Sequence, residues 1–360
     1  DFFDGIHFHS ASLADSSLRA GLARASRRGF YRIPIMSSSL PLVAIVCPTE
    51  FKFSDPEAVL EKQILAGVAA VKTVRVGLNA PFPDEVLAAD AIILWHGPRV
   101  DAGVVSRLQQ CRAIIRNGVG YDTVDTAAAA QRGIPVCNVP DYGTEEVADH
   151  ALALALALCR QLFPLHAEAA QRGWKIQVAA KMRRLRTLHF GLIALGRSGV
   201  ATALRAKALG FRVVFFDPYV PTGTHKAVGV ERAASLDELL RSSDVIWIHC
   251  RLTAETRGFI GEREIAVMKP SAYLINTARG DIVQKAPLFA ALRADRLAGA
   301  GLDVVEHEPL RTAEEAATPN LIVTCHAAFC SPEGMVEMRT TSATIARAAV
   351  QGQPVWNRVN

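Results

Sequence analysis

Three runs in the sequence close apolar stretches with residues able to do ionic or acid–base chemistry. Residues 274–280 read Leu-Ile-Asn-Thr-Ala-Arg-Gly, residues 302–309 read Leu-Asp-Val-Val-Glu-His-Glu-Pro, and residues 321–328 read Leu-Ile-Val-Thr-Cys-His-Ala-Ala. Each places charge just past the carboxyl end of a predicted strand, where open α/β sheets bind ligands. Such a set suits reduction of a ketone. Hydride transfer to a carbonyl develops an alkoxide, which needs a proton donor and a fixed cation. A histidine titrates in the right range, and a neighbouring carboxylate raises its pKa.

A second signal concerns the hydride source. Residues 188–199 read Leu-His-Phe-Gly-Leu-Ile-Ala-Leu-Gly-Arg-Ser-Gly, a strand running into a helix that begins near Arg197. The dinucleotide fingerprint G-x-G-x-x-G falls on positions 194, 196 and 199. Ala194 replaces the first glycine. Gly196 and Gly199 remain, and these allow close pyrophosphate approach and helix–strand packing. With Leu195, Arg197 and Ser198 they form the expected phosphate turn, whose helix supplies amide donors. Asp217 ends the next strand, in place to bond the adenosine ribose hydroxyls. A 2′-phosphate would be repelled there, so NAD is expected rather than NADP. If the turn needs a positive φ at Ala194, the strain is roughly 1–3 kcal/mol.

Positioning these groups takes strands and helices in alternation. Apolar runs predict strands over 42–47, 71–76, 91–95, 113–116, 135–137, 188–194, 212–217, 244–249, 272–276, 299–303 and 321–324. Helix-period segments lie between most of them, at 55–66, 84–89, 101–109, 124–132, 145–162, 198–209, 235–241, 261–267 and 286–294. A last helix is predicted over 332–351, with Pro332 in its first turn. Strand–helix alternation with nearly all-apolar strands predicts parallel sheets covered on both faces. Thr144 is the expected N-cap of the long 145–162 helix, with Glu145 and Glu146 in its first turn. Residues 163–187 lose strand character and are expected to be a surface connector.

Composition excludes several classes. The chain has 360 residues, 50% hydrophobic and 21% charged, which suggests two packed domains and excludes a disordered chain. Seven cysteines, an odd number with no CxxC pair, exclude a disulfide-stapled fold and suit buried thiols in a reducing compartment. The net charge of +5 is dispersed. Its densest cluster, Lys181, Arg183, Arg184 and Arg186, lacks aromatic interleaving, so no nucleic-acid partner is expected. The longest apolar stretch, Ala151 to Cys159, is well short of the roughly 20 residues of a membrane span. Cys325, His326 and Cys330 lack a fourth ligand, so no metal is expected. Residues 1–40 are Ser- and Arg-rich and are expected to be a disordered extension, with Met36 a natural start.

At this point the sequence resembles the D-isomer-specific 2-hydroxyacid dehydrogenases. The resemblance spans about residues 42–360. It rests on Arg116-Asn117-Gly118-Val119-Gly120-Tyr121-Asp122, on the run Val139-Pro140-Asp141-Tyr142-Gly143-Thr144-Glu145-Glu146-Val147-Ala148-Asp149, and on the three runs quoted first. Within the family it is most similar to the C-terminal-binding-protein branch, through Arg116, Phe216-Asp217-Pro218-Tyr219 and His326-Ala327-Ala328. Cys325 and Arg251 stand where prolines are usual, and Gln284-Lys285 where an Asp-Glu pair is common.

The resemblance implies roles. Arg279 would bind the substrate carboxylate and polarise the carbonyl. His326 would be the acid/base, and Glu308 would hold it charged. The Val119 and Gly120 amides would hold the carboxylate, with His96, Arg116 and Phe329 facing the substrate. Val147, Cys250, Arg251, Thr256, Thr277, Ala278, Asp303 and Ala328, with Arg279 and His326, would line the nicotinamide and its ribose. The implied fold is α/β, with two doubly wound parallel-sheet domains. A Rossmann-type cofactor domain (144–330) would be inserted into a flavodoxin-like substrate domain (41–143 plus 331–360). The expected activity is hydride transfer between NAD(H) and a D-2-hydroxy acid/2-oxo acid pair, in a cytoplasmic homodimer without membrane partners. A second function fits the same resemblance: an NAD(H)-sensing corepressor or scaffold with weak dehydrogenase activity.

Overall fold

The computed structural model describes residues 40–49 and 57–360. Apart from Leu40, the expected N-terminal extension lies outside the described residues, as does the start of the helix predicted over 55–66.

Five strands form the first sheet: β1 (Leu42–Pro48), β2 (Ala70–Val76), β3 (Ala91–Leu94), β4 (Ile114–Arg116) and β5 (Val136–Asn138). Seven form the second: β6 (His189–Ile193), β7 (Arg212–Phe216), β8 (Glu231–Arg232), β9 (Val245–Ile248), β10 (Tyr273–Asn276), β11 (Gly299–Leu302) and β12 (Leu321–Val323). The orders are β2-β1-β3-β4-β5 and β12-β11-β10-β9-β6-β7-β8. Each reverses once, between β1 and β3 and between β6 and β9. These are the flavodoxin-like and Rossmann orders, which bind ligands at the reversal. All strand pairings among the described residues are parallel, with Ile193 level with both Phe216 and Ile248. The turns after β6, β9, β10, β11 and β12 therefore emerge along one edge.

Burial explains why these segments are strands. Residues of β3, β4, β5, β9, β10 and β11 are all buried, so helices cover both faces. On the second sheet the helix Thr144–Cys159 buries Ala151, Leu154, Ala155 and Leu158. It lies unusually close to β11 because that strand offers two glycines there. A Cβ on Gly301 would stand 3.0 Å from Leu154 Cβ, and one on Gly299 3.1 Å from Leu158 Cδ2. The helix Pro332–Val350 returns the chain to the first sheet. It buries Ile345, Ala346 and Ala349 against Val43, Ile45, Ile93 and Ile115. The Rossmann-type unit is thus inserted into the flavodoxin-like one.

Three local expectations are corrected. The long helix begins at Thr144 with Gly143 as its uncapped N-cap, so Thr144 is not the cap. It ends at Cys159 rather than 162. Gln161 adopts φ +52 and a second helix, Leu162–Ala170, runs into the segment expected to be a connector. The two-residue edge strand β8 was not anticipated. Its Glu231–Arg232 pair has no apolar run to mark it.

Candidate active site

The histidine loop is built on a buried acid. Asp303, 2% exposed, follows β11. Its carboxylate accepts hydrogen bonds from the Ala327 and Ala328 amides, both at 2.9 Å, and from the Thr324 hydroxyl. Its carbonyl accepts from the His326 amide at 2.8 Å. His150 Nε2 adds a 3.0 Å contact to Thr324 Oγ1. These donors tie the 324–328 loop to the Asp303 side chain. The clamp holds His326 at φ +53, a left-handed conformation that costs a non-glycine residue about 1–2 kcal/mol. His326 Nδ1 then lies 3.0 Å from Glu308 Oε2, which leaves Nε2 for a substrate oxygen.

Arginine comes from the neighbouring turn. The Asn276 side chain accepts from the Ala278 amide and donates to the Arg279 carbonyl, at 3.0 and 2.9 Å. Arg279 Nη1 donates to the Ala278 carbonyl at 2.8 Å, and Nε to Asp122 Oδ1 at 3.2 Å. Its guanidinium lies against Gly120, where a Cβ would come within 1.6 Å of Nη2. Burial pushes the Asp122 carboxyl up, but Arg279's charge and hydrogen bond prevail and hold it below its ordinary value.

The first sheet contributes a second cation. Arg116, at the end of β4, is 5% exposed. Its Nη1 donates to the Asn117 carbonyl, and its Nη2 lies 3.4 Å from His96 Nδ1. Burial, then Arg279's like charge, lowers its pKa to about 10, so it stays charged at neutral pH. His96 falls to about 3, first through burial, then through Arg116 and His326. It is therefore neutral and accepts through Nδ1, with its proton on Nε2. The His96 and His326 rings stand edge to face, with centroids 5.0 Å apart, and Phe329 lies 6.3 Å from His326 in the same manner.

The phosphate turn fits a dinucleotide. The helix Arg197–Ala208 starts at Gly196 with no side-chain cap, so its first amides remain for a ligand. A Cβ on Gly196 would meet nothing within 4 Å, whereas one on Gly199 would stand 2.7 Å from the Ala194 carbonyl oxygen. Gly196 thus leaves the approach open, and Gly199 lets the helix close on the strand. Ala194 does adopt a positive φ, +84. Asp217 accepts from the Leu195 amide at 3.0 Å and the Tyr219 amide at 2.9 Å, which sets its carboxylate beside the turn.

A cavity of about 1780 Å³ joins these parts. Arg279, Glu308 and His326 line it, as do His96, Arg116, Val119, Gly120 and Phe329. Val147, Arg197, Ser198, Cys250, Arg251, Thr277, Ala278, Asp303 and Ala328 line its remainder. Leu195, Gly196, Gly199 and Asp217 belong to the adjoining turn rather than to the wall. Thr256 is also off the wall. Its hydroxyl donates to the Arg251 carbonyl at 2.6 Å and accepts from the Thr253 amide at 2.8 Å, so it shapes the turn that carries Arg251. Burial pushes the Cys250 thiol up to about 12, which keeps it protonated.

Two residues of this site carried no role in the sequence reading. Asp122 pairs with Arg279. Tyr121 receives Arg251, whose guanidinium lies 4.6 Å above its ring and donates to its hydroxyl. Both belong to the 116–122 run, and the acid at its end was the available signal.

Comparison with known proteins agrees with this geometry. Residues 152–328 match the family described as "D-isomer specific 2-hydroxyacid dehydrogenase, NAD binding domain". C-terminal-binding protein 1 of Caenorhabditis elegans is 32% identical over 328 residues, covering 88% of this chain and 44% of that protein. D-3-phosphoglycerate dehydrogenase of Methanocaldococcus jannaschii is 32% identical over 277 residues, covering 77% and 53%. The chain thus spans about half the length of the curated relatives it matches. A crystal structure of D-lactate dehydrogenase from Aquifex aeolicus, in complex with NAD and lactic acid, superposes with a TM-score of 0.77 at 27% identity, covering 86% of this chain and 96% of that one. The phosphate turn, the two sheet orders and these matches lead to one assignment: the chain belongs to the D-isomer specific 2-hydroxyacid dehydrogenase family.

Proposed function

We propose that the protein is an NAD-dependent oxidoreductase interconverting a D-2-hydroxy acid and its 2-oxo acid. The observation that carries this is His326 Nδ1 held 3.0 Å from Glu308 Oε2 in one cavity with Arg279. Bound NADH would supply the hydride. The amides of Val119 and Gly120, with Arg279, hold the substrate carboxylate. His326 delivers a proton from Nε2 to the developing alkoxide, and Glu308 stabilises the imidazolium that precedes it. In the oxidative direction the same nitrogen takes the proton back. Asp217 beside the phosphate turn favours ribose hydroxyls over a 2′-phosphate, and with it NAD over NADP.

The test is NADH oxidation with glyoxylate, pyruvate, hydroxypyruvate, a bulky aromatic 2-oxo acid and a dicarboxylic one. Turnover of one of them supports the proposal and sizes the site; turnover of none would sink it.

A second reading has its own observation, the 32% identity with C-terminal-binding protein 1. On that reading the protein is an NAD(H)-sensing corepressor or scaffold. Capture of short partner peptides, tuned by NADH and with negligible turnover, would favour it.

The partner most consistent with the surface is a second copy of the chain. Leu162, Phe163, Trp174 and Ile176 are 54%, 56%, 93% and 71% exposed on the segment following the helix Thr144–Cys159, an apolar concentration that marks contact surfaces. A monomer by sedimentation would contradict this. Among the described residues no helix is long and apolar enough to cross a membrane. The seven cysteines are unpaired, which supports a reducing compartment such as the cytoplasm.

A further inference from the structure

Six arginines line the cavity, and Arg116 is the buried one among them. Arg279 pairs with Asp122 and His326 pairs with Glu308. Among the described residues no carboxylate pairs with Arg116. Its contacts are the Asn117 carbonyl and the ring of a neutral His96, and its Nε has no partner at all. Burying a charge without a counter-ion is costly. A sequence that spends that cost inside its ligand cavity is set up to receive an anion there.

The 117–120 turn explains how two cations come to serve one cavity. Gly120 lets the Arg279 guanidinium lie against its backbone. Gly118, at φ +141, does the same for Arg116, and a Cβ there would stand 2.8 Å from Arg116 Nη1. The substrate's own carboxylate uses Arg279 and the amides of this turn. Arg116 is then the buried charge left unmatched, whereas Arg197, Arg251 and Arg358 of the same lining are exposed. At that depth one guanidinium offers a single positive charge, which one carboxylate meets.

We infer that Arg116 is the specificity-determining residue for a second carboxylate, so that the substrate is a dicarboxylic 2-oxo acid. The inference rests on the dehydrogenase reading. The reaction stays balanced. A hydride, two electrons with one proton, passes from NADH to C2, and a proton passes from His326 to the C2 oxygen. The products are the 2-hydroxy dicarboxylate and NAD. The second carboxylate takes no part beyond binding.

The experiment compares substrates of equal chain length that differ only in that carboxylate: 2-oxopentanedioate against 2-oxopentanoate, and 2-oxobutanedioate against 2-oxobutanoate. The wild-type protein is expected to favour a dicarboxylate in kcat/KM by roughly tenfold or more. In Arg116→Gln the dicarboxylate is expected to lose roughly ten- to hundredfold more than its monocarboxylate counterpart. Arg116→Lys, which keeps the charge, should retain part of the preference. Calorimetric titration of the NAD-loaded protein with pentanedioate against pentanoate gives a readout without turnover. There the dicarboxylate should bind tighter in wild type, and the advantage should vanish in Arg116→Gln. Wild-type preference for the monocarboxylate at both lengths would overturn the inference. So would equal losses on both substrates in Arg116→Gln, because Arg116 would then grip the carboxylate they share. Turnover of neither class, glyoxylate and pyruvate included, would instead remove the dehydrogenase reading and this inference with it.

Discussion

Arg279 Nε donates to Asp122 Oδ1 across 3.2 Å, and this contact ties the carboxyl edge of one sheet to that of the other. Asp122 touches no reacting atom in the proposed mechanism; it is a positioning residue that aims a guanidinium. Asp122→Asn removes the charge and keeps the shape. Loss of one charge-assisted bond costs about 1.5–3 kcal/mol, or roughly ten- to hundredfold in kcat/KM. The loss is expected mainly in KM for the 2-oxo acid, with NADH affinity retained. Steady-state kinetics and NADH fluorescence titration check both, and a fall in kcat at constant KM would contradict the positioning role.

His326→Ala removes the proton donor but none of the phosphate-turn contacts. Turnover is expected to fall by about two to four orders of magnitude while NADH still binds. Glu308→Gln keeps a neutral partner at the same place and should fall less. An unchanged rate in His326→Ala would refute the mechanism.

The sequence made the strands legible because they are buried on both faces and read as uninterrupted apolar runs. The central strand Val245–Ile248 is the clearest case, with all four residues buried. Glu231–Arg232 was illegible for the opposite reason: an edge strand of two charged residues has no pattern. The break at Gln161 was less hidden than it looked. Pro164 three residues later disfavours an unbroken helix through this region and is tolerated in the first turn of the next one. In the site, the three runs that carry Arg279, Glu308 and His326 stood out by residue type, and the family resemblance implied the role of each. The 303–328 clamp was out of reach, since nothing in a single sequence says that Asp303 folds onto two amides 24 and 25 positions away. Asp122 was missed because its partner lies 157 positions on.

Ala194 bears the positive φ that a glycine would take without strain. Ala194→Gly relieves that strain and gives back part of it as lost chain stiffness, for a net gain of about 1 kcal/mol. The thermal midpoint should rise by roughly 1–3 °C in a chain of this size, seen by calorimetry without cofactor. An unchanged or lower midpoint would mean that the turn absorbs the conformation at no cost.

Asp217 accepts from the Leu195 amide of the same turn, and the proposed function gives it the cofactor preference. Asp217→Ala removes the charge that repels a 2′-phosphate and one acceptor for the ribose hydroxyls. NADH binding is expected to weaken and NADPH binding to gain on it. The ratio of the two dissociation constants checks this, and an unchanged ratio would show that another group discriminates.

His96 gives the fold an acid sensitivity of defined sign. Its pKa falls from 6.5 to about 3 on folding, first through burial and then through Arg116 and His326. Between those values the unfolded chain takes up a proton that the folded chain refuses. Stability is therefore full above 6.5 and is lost as the pH falls toward 3, with a slope approaching about 1.4 kcal/mol per pH unit for one proton. Half-buried His249, lowered to about 4, acts in the same direction, so the wild-type slope contains both. His96→Asn isolates the first. Urea midpoints measured at about pH 7 and about pH 4.5 should lie closer together in this variant than in the wild type. Equal separations in the two proteins would mean that His96 becomes protonated in the cavity, and the proton donor facing the substrate there would then be an imidazolium beside Arg116 rather than a neutral ring.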